Sequence, residues 1–137
     1  MNKFLVDSDV FVNSVLKTEK QEVCVKFLDG KEAPICTTIL NLMELSSVLS
    51  RKYDWNKSEI HEVVDTIEKG MDVVIPSEAE ILEGYELVMK DFFTTVDAIL
   101  LSISKNQNLR LVTFDGELMT RGSEVTEVIS PVKLIEE

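Results

Sequence analysis

Short apolar runs alternate with longer helical stretches from one end of the chain to the other, and this alternation restricts the fold more than any other feature. Residues 4–6 (FLV), 34–37 (PICT), 72–75 (DVVI), 109–113 (LRLVT) and 128–129 (VI) read as strands, the third stopped by Pro76. Helical patterns occupy residues 10–16, 39–53 and 95–106. Other helices are marked by their caps. Thr18 with Gln21 opens one that ends near Gly30, Ser58 opens one that ends at Gly70, and Ser77 with Glu80 opens one that runs to about Lys90. Strands separated by helices need crossover connections, which predicts an α/β fold: a parallel sheet with helices on both faces. Strands that are apolar almost throughout suit burial on both sides. Sites in such sheets form beyond the carboxyl ends of the strands, where the strand order reverses. Asp7 follows the first strand and Asp115 the fourth, so both are predicted on that edge.

With 137 residues, 45% of them hydrophobic, the chain suits one domain (residues 1–137) around one core. Five Gly and three Pro are too few for a fibrous or disordered chain. No apolar run is long enough to span a bilayer, and the opening MNKFLVDSDV lacks the apolar stretch of a signal peptide. Cys24 and Cys36 sit singly among apolar residues, which fits reduced core thiols in a cytoplasmic protein. The net charge of −11 opposes a nucleic-acid partner, unless carboxylates cluster around divalent ions that the sequence count omits.

Several carboxylates stand where apolar structure begins, ends or passes through. Glu44 lies in a row with Leu40 and Val48 on a largely apolar helix. A buried carboxylate there needs a partner, either a metal ion or Arg51 on nearly the same face. Asp97 stands in TTVDAILLSIS, where Thr94 and Asp97 also resemble a capping box. Asp115, in FDGEL, suits a turn, and Asp9 suits a cap for the first helix. Taken together, Asp7, Glu44, Asp97 and Asp115 would repel one another on one sheet edge unless divalent cations neutralised them. Oxygen-only ligands suit hard ions such as Mg²⁺ or Mn²⁺, whose usual task in such a site is hydrolysis of a phosphodiester.

The opening FLVDSDVFV, the helical NLMELSSVL, the DAILLSIS helix and the LVTFDGEL turn, in that order, resemble the PIN domain, and most of all the toxin ribonucleases of VapBC-type toxin–antitoxin pairs. The resemblance covers essentially the whole chain. It implies a three-layer α/β/α sandwich around a central, mostly parallel sheet of about five strands. It also implies Mg²⁺- or Mn²⁺-dependent endoribonuclease activity on RNA, a small inhibitory antitoxin and a homodimer. Carried over by motif, Asp7, Glu44, Asp97 and Asp115 form the catalytic, metal-binding set, and Thr113 supports Asp115. The position of Asp9 more often holds Asn or Ser in that family, so here a fifth carboxylate enlarges the site.

Other readings compete. The strand followed by Asp-x-Asp also fits a haloacid-dehalogenase-type phosphatase, with Asp7 as nucleophile and Asp9 as general acid. That reading leaves Glu44 unused and lacks a convincing later Lys and acidic pair. A response-regulator receiver needs an Asp after the middle strand, where this chain has Ile75 and Pro76. A non-catalytic binding module follows if every carboxylate is only a local cap. Arg51, Lys52 and Lys57 beside Tyr53 and Trp55 are candidates for gripping a single strand; alternatively they form a solvated helix end with Trp55 tucked inward. The lone His61 reads as a surface helix residue. The wide apolar circumference of residues 39–49, with residues 10–16, predicts a self-association or partner surface.

Overall fold

The computed structural model describes residues 2–30 and 34–137. Strands β1 (Phe4–Val6), β2 (Ile35–Thr38), β3 (Asp72–Val74), β4 (Arg110–Val112) and β5 (Val128–Ile129) form one sheet in the order β3-β2-β1-β4-β5. Every pairing is parallel. The connections carry helices α1 (Ser8–Val15) and α2 (Gln21–Gly30), α3 (Ile39–Arg51) and α4 (Lys57–Gly70), and α5 (Glu78–Asp91) and α6 (Thr95–Gln107). Short helices α7 (Gly116–Arg121) and α8 (Pro131–Glu136) flank β5. This is the α/β/α sandwich that the alternation of strands and helices predicted.

The two faces of the sheet have separate cores, as the period of two along a strand requires. Phe4, Val6 and Val112 point toward a layer containing Val10, Phe11, Cys24, Phe27, Leu42, Leu45 and Leu49 from α1, α2 and α3. Leu5, Cys36 and Leu111 point the other way, toward Phe93, Leu100, Leu101, Ile103 and Leu118. Leu5 stands in register with Leu111, and Val6 with Val112, so paired residues serve the same face. Gly84 lets α5 and α6 approach closely: a Cβ there would lie 3.2 Å from Ile99 Cγ1.

The topology fixes where a site can form. From β1 the chain moves to β2 and then β3 on one side, and it returns to β4 on the other side of β1. The order reverses between β1 and β4, and a crevice opens beyond their carboxyl ends. Asp7 directly follows β1, and Thr113 directly follows β4.

Several helix ends differ from their sequence reading. Asn56, not Ser58, caps α4, in a reciprocal capping box with Glu59. Thr18 accepts from Lys20 N, and Gln21 donates to the Ser14 carbonyl, so those two residues do not form the expected box. The Ser77–Glu80 box is present. Helices α7 and α8 were not anticipated: at six residues each they are too short for an apolar period to show. Ser130 followed by Pro131 was nevertheless a start signal for α8. Among the described residues no helix is long and apolar enough to cross a membrane.

Candidate active site

Asp7 is the centre of the site. It caps α1, and its Oδ1 accepts from Ser8 N at 2.7 Å and from Asn41 Nδ2 at 3.1 Å. Its Oδ2 accepts from the Thr113 hydroxyl at 2.8 Å. Only 6% of Asp7 is exposed. Burial, then the nearby charges of Asp9 and Glu44, push its carboxyl up to about 7, although the Thr113 and Ser8 hydrogen bonds oppose the rise.

Asp9 lies two residues further on, in the first turn of α1, and the structure gives it a partner other than its own helix end. Its Oδ2 accepts from Phe114 N at 3.0 Å and stands 3.1 Å from the Thr113 hydroxyl. Its Oδ1 is buried without a hydrogen-bond partner among the described residues. Burial again raises the carboxyl, with the charge of Asp115 adding to it. The single Thr113 hydrogen is therefore shared between two carboxylates, while its oxygen accepts from Asp115 N at 3.0 Å. Thr113 thus bonds the backbone of Asp115 and also ties Asp7 to Asp9.

Glu44 reaches the crevice from α3, accepting from the Ser8 hydroxyl at 2.9 Å. Among the described residues it has no ion pair with Arg51, so the salt-bridge account of Glu44 fails. Asp97 enters from the first turn of α6 on the opposite layer. Burial raises its carboxyl to about 6, and the charges of Asp115, Glu44 and Glu117 add to the rise against a hydrogen bond with Thr94. The Thr94 side chain makes no cap bond to the helix backbone, so the expected capping box is not formed, and Thr94 meets Asp97 through its side chain instead. Asp115 is exposed and caps α7, its Oδ1 accepting from Leu118 N at 2.9 Å. The local turn read from FDGEL is real, and the same residue belongs to the acidic group.

The crevice therefore gathers Asp7, Asp9, Glu44, Asp97 and Asp115 from four segments and two layers. All donors are oxygens, Asp9 Oδ1 is unpartnered, and the raised carboxyls register the cost of bringing these charges together. That donor chemistry suits a hard divalent cation better than a thiophilic one. Among the described residues no three carboxylate, His or Cys groups are drawn together into a ready-made ligand cage. An ion would have to pull these side chains inward.

Arg51 and Lys52 are not brought to the crevice. Both are exposed at the far end of α3, and Arg51 lies seven residues beyond Glu44, about 10 Å along the helix axis. Trp55 is half-buried and lines a cleft of about 540 Å³ with Phe11, Val15, Val63 and Met71, apart from the acidic residues. His61 is an exposed residue of α4. Ser8 and Asn41, which hold Asp7 and Glu44 in place, were not anticipated. The available signal for Asn41 was an Asn on an otherwise apolar helix, three residues after Thr38, and the structure shows that residue fully buried.

Fold and site together define a class: parallel α/β sandwiches with an acidic crevice at the point where strand order reverses. The chain belongs to the PIN domain family, whose profile matches residues 4–121. It is similar in structure to PAE2754 from Pyrobaculum aerophilum, with 16% identity, a TM-score of 0.72, and 98% of this chain and 93% of that one covered. It is also similar to Mycobacterium tuberculosis VapC20, described as a Sarcin-Ricin loop cleaving toxin, with 14% identity, a TM-score of 0.77, and 88% and 95% covered. A third similar structure is a DNA-bound VapBC from Salmonella typhimurium, with 18% identity, a TM-score of 0.70, and 96% and 99% covered. No curated protein matches the chain significantly in sequence. The family match is to PIN domains, and Asp9, which a haloacid-dehalogenase-type phosphatase would use as its general acid, has its Oδ2 bonded to Phe114 N and its Oδ1 without a partner among the described residues.

Proposed function

We propose that this chain is a metal-dependent endoribonuclease acting as the toxin of a toxin–antitoxin pair. What supports the reading is burial together with the mutual repulsion among Asp7, Asp9, Glu44, Asp97 and Asp115, which raise the carboxyls of Asp7, Asp9 and Asp97 in a member of the PIN family. Two of the similar structures are a Sarcin-Ricin loop cleaving toxin and a DNA-bound VapBC, which supports RNA as substrate and a small antitoxin as partner. In this reading Asp7, Glu44, Asp97 and Asp115 would hold Mg²⁺ or Mn²⁺, with Asp9 lending further charge, and the chemistry such an ion would supply is activation of a water for phosphodiester hydrolysis. The chain's own contribution is positional. Thr113, Ser8 and Asn41 fix both oxygens of Asp7, and Ser8 draws Glu44 toward it.

The two aspartates of the opening motif separate this reading from phosphatase chemistry. Asp7→Asn should abolish cleavage of single-stranded RNA in Mg²⁺ or Mn²⁺. Asp9→Asn should retain substantial activity, because its backbone partner Phe114 N can donate equally to the Asn carbonyl. A general acid is worth roughly two to four orders of magnitude in rate, so in a phosphatase Asp9→Asn would be nearly as damaging as Asp7→Asn. Turnover of a chromogenic phosphomonoester, lost in both variants while RNA stays intact with the unmodified protein, would overturn the proposal.

A further inference from the structure

A crevice lined by carboxylates in a chain of net charge −11 repels a polyanion, so an RNA substrate needs cationic contacts close by. Arg121, on α7 after Asp115, and Lys20 are cations on segments that adjoin the site. Arg121 is already committed: its guanidinium donates to Glu117 and to the Asp91 carbonyl and lies over the Phe93 ring. Lys20 differs. Its Nζ sits 4.7 Å from the centre of the Phe114 ring, and among the described residues its ammonium makes no ion pair within 4 Å and donates no hydrogen bond, although its charge acts on Asp9 and lowers that carboxyl.

The position of Lys20 is built into the structure. Its backbone N donates to Thr18 Oγ1 at 3.2 Å, Thr18 donates to Asn13 Oδ1 at 2.9 Å, and Asn13 Nδ2 donates to the Asp9 carbonyl at 2.8 Å. On the other side the ring beneath it belongs to Phe114, whose N–H donates to Asp9 Oδ2. Lys20 is thus tied to Asp9 by two routes, one through the α1–α2 turn and one through the end of β4. A cation resting on an aromatic face gains electrostatic attraction without giving up its donors. An exposed ammonium with three free N–H groups at the lip of the crevice is suited to a phosphate oxygen.

We propose that Lys20, held over Phe114, is a positioning residue that grips the phosphodiester backbone of single-stranded RNA beside the acidic crevice. The inference rests on the ribonuclease reading and replaces Arg51 and Lys52 as the RNA contact. Its test is binding of a labelled single-stranded RNA oligonucleotide of mixed sequence to the full chain in Ca²⁺, followed by anisotropy over a range of salt. The proteins are the unmodified chain, Lys20→Ala, Lys20→Arg and Lys69→Ala; Lys69 is paired with Asp65 on α4. One lost phosphate contact on a single strand should reduce the magnitude of the log Kd against log salt slope by about 0.7. Lys20→Ala should show that reduction and severalfold weaker binding at low salt, with its melting temperature close to that of the unmodified chain. Lys20→Arg should keep the slope, and Lys69→Ala should leave it unchanged. RNA binding by the unmodified chain with an unaltered slope in Lys20→Ala, or an equal loss in Lys69→Ala, would overturn the role of Lys20 while leaving the ribonuclease reading intact. Failure of the unmodified chain to bind RNA at any salt would overturn both.

Discussion

The carboxyl of Asp7 records a conflict between burial and charge. Its value of about 7 lies far above the ordinary 3.8, because the fold favours the protonated form. The native state therefore holds a proton that the unfolded chain has already released, and the sign follows: stability falls as pH rises from about 4 to about 7. Asp97, at about 6, and Asp9 act in the same direction. In EDTA the melting temperature is expected to fall between about pH 5 and about pH 7.5. Asp7→Asn should flatten that slope and melt higher than the unmodified chain at the upper pH. A melting temperature that climbs across this interval, or a slope unchanged by Asp7→Asn, would contradict the balance described for the site.

Among the elements, the exposed apolar face lies on α5 and not on α3, where the sequence pattern suggested it. The apolar circumference of residues 39–49 is largely consumed inside: Leu42, Leu45 and Leu49 are buried, and Ile39 and Met43 are the large apolar residues left exposed there. Val10 and Phe11 of α1 are buried as well. Helix α5 instead carries Ile81, Leu82, Tyr85 and Met89 in the open, followed by Phe92, which is 82% exposed. Residues 81, 85 and 89 follow one another at helical spacing along a single face. For the homodimer that the family resemblance implies, this face is the better candidate than residues 39–49. Sedimentation should then give a dimer that the double substitution Tyr85→Arg, Met89→Arg converts to monomer with the fold intact. A monomer at high concentration, or a dimer indifferent to those substitutions, would remove α5 from the interface.

At the scale of the molecule, the site is a meeting of two layers that only a compact sheet can bring together. Asp7 and Glu44 come from one side of the sheet, and Asp97 comes from α6 on the other. A ligand that binds this arrangement and not the unfolded chain stabilises the whole fold by mass action. Millimolar Mn²⁺ should therefore raise the melting temperature, and EDTA should reverse the effect. Because metal ligands must be deprotonated, the rise should be larger near pH 7.5 than near pH 5.5, by roughly the extent to which Asp7 ionises between them. Glu44→Gln should shrink the rise and itself melt no lower than the unmodified chain without metal. No response to Mn²⁺ at either pH would count against the metal-dependent reading.

Much of this architecture is local information, and the sequence determined it. Periodic burial marks each strand and the long helices, and Ser77 with Glu80 announces a cap, because these features depend on residues a few positions apart. The alternation also sets Asp7 and Asp115 beyond strand ends, on the functional edge of a parallel sheet. What the sequence left open are the contacts that cross the molecule. Asp9 was legible as a helix cap, yet its side chain bonds to Phe114 and Thr113, more than one hundred positions away. Glu44 was balanced between Arg51 and a metal, and its partner is Ser8, beyond a full crossover. Asn41 reaches Asp7, and Lys20 lies over Phe114, for the same reason. A crossover can return a strand to either side of its neighbour, so strand order and register decide which side chains meet. Only the packed tertiary structure, in which β4 lies beside β1, closes the crevice on the carboxylates that the sequence had spaced along it.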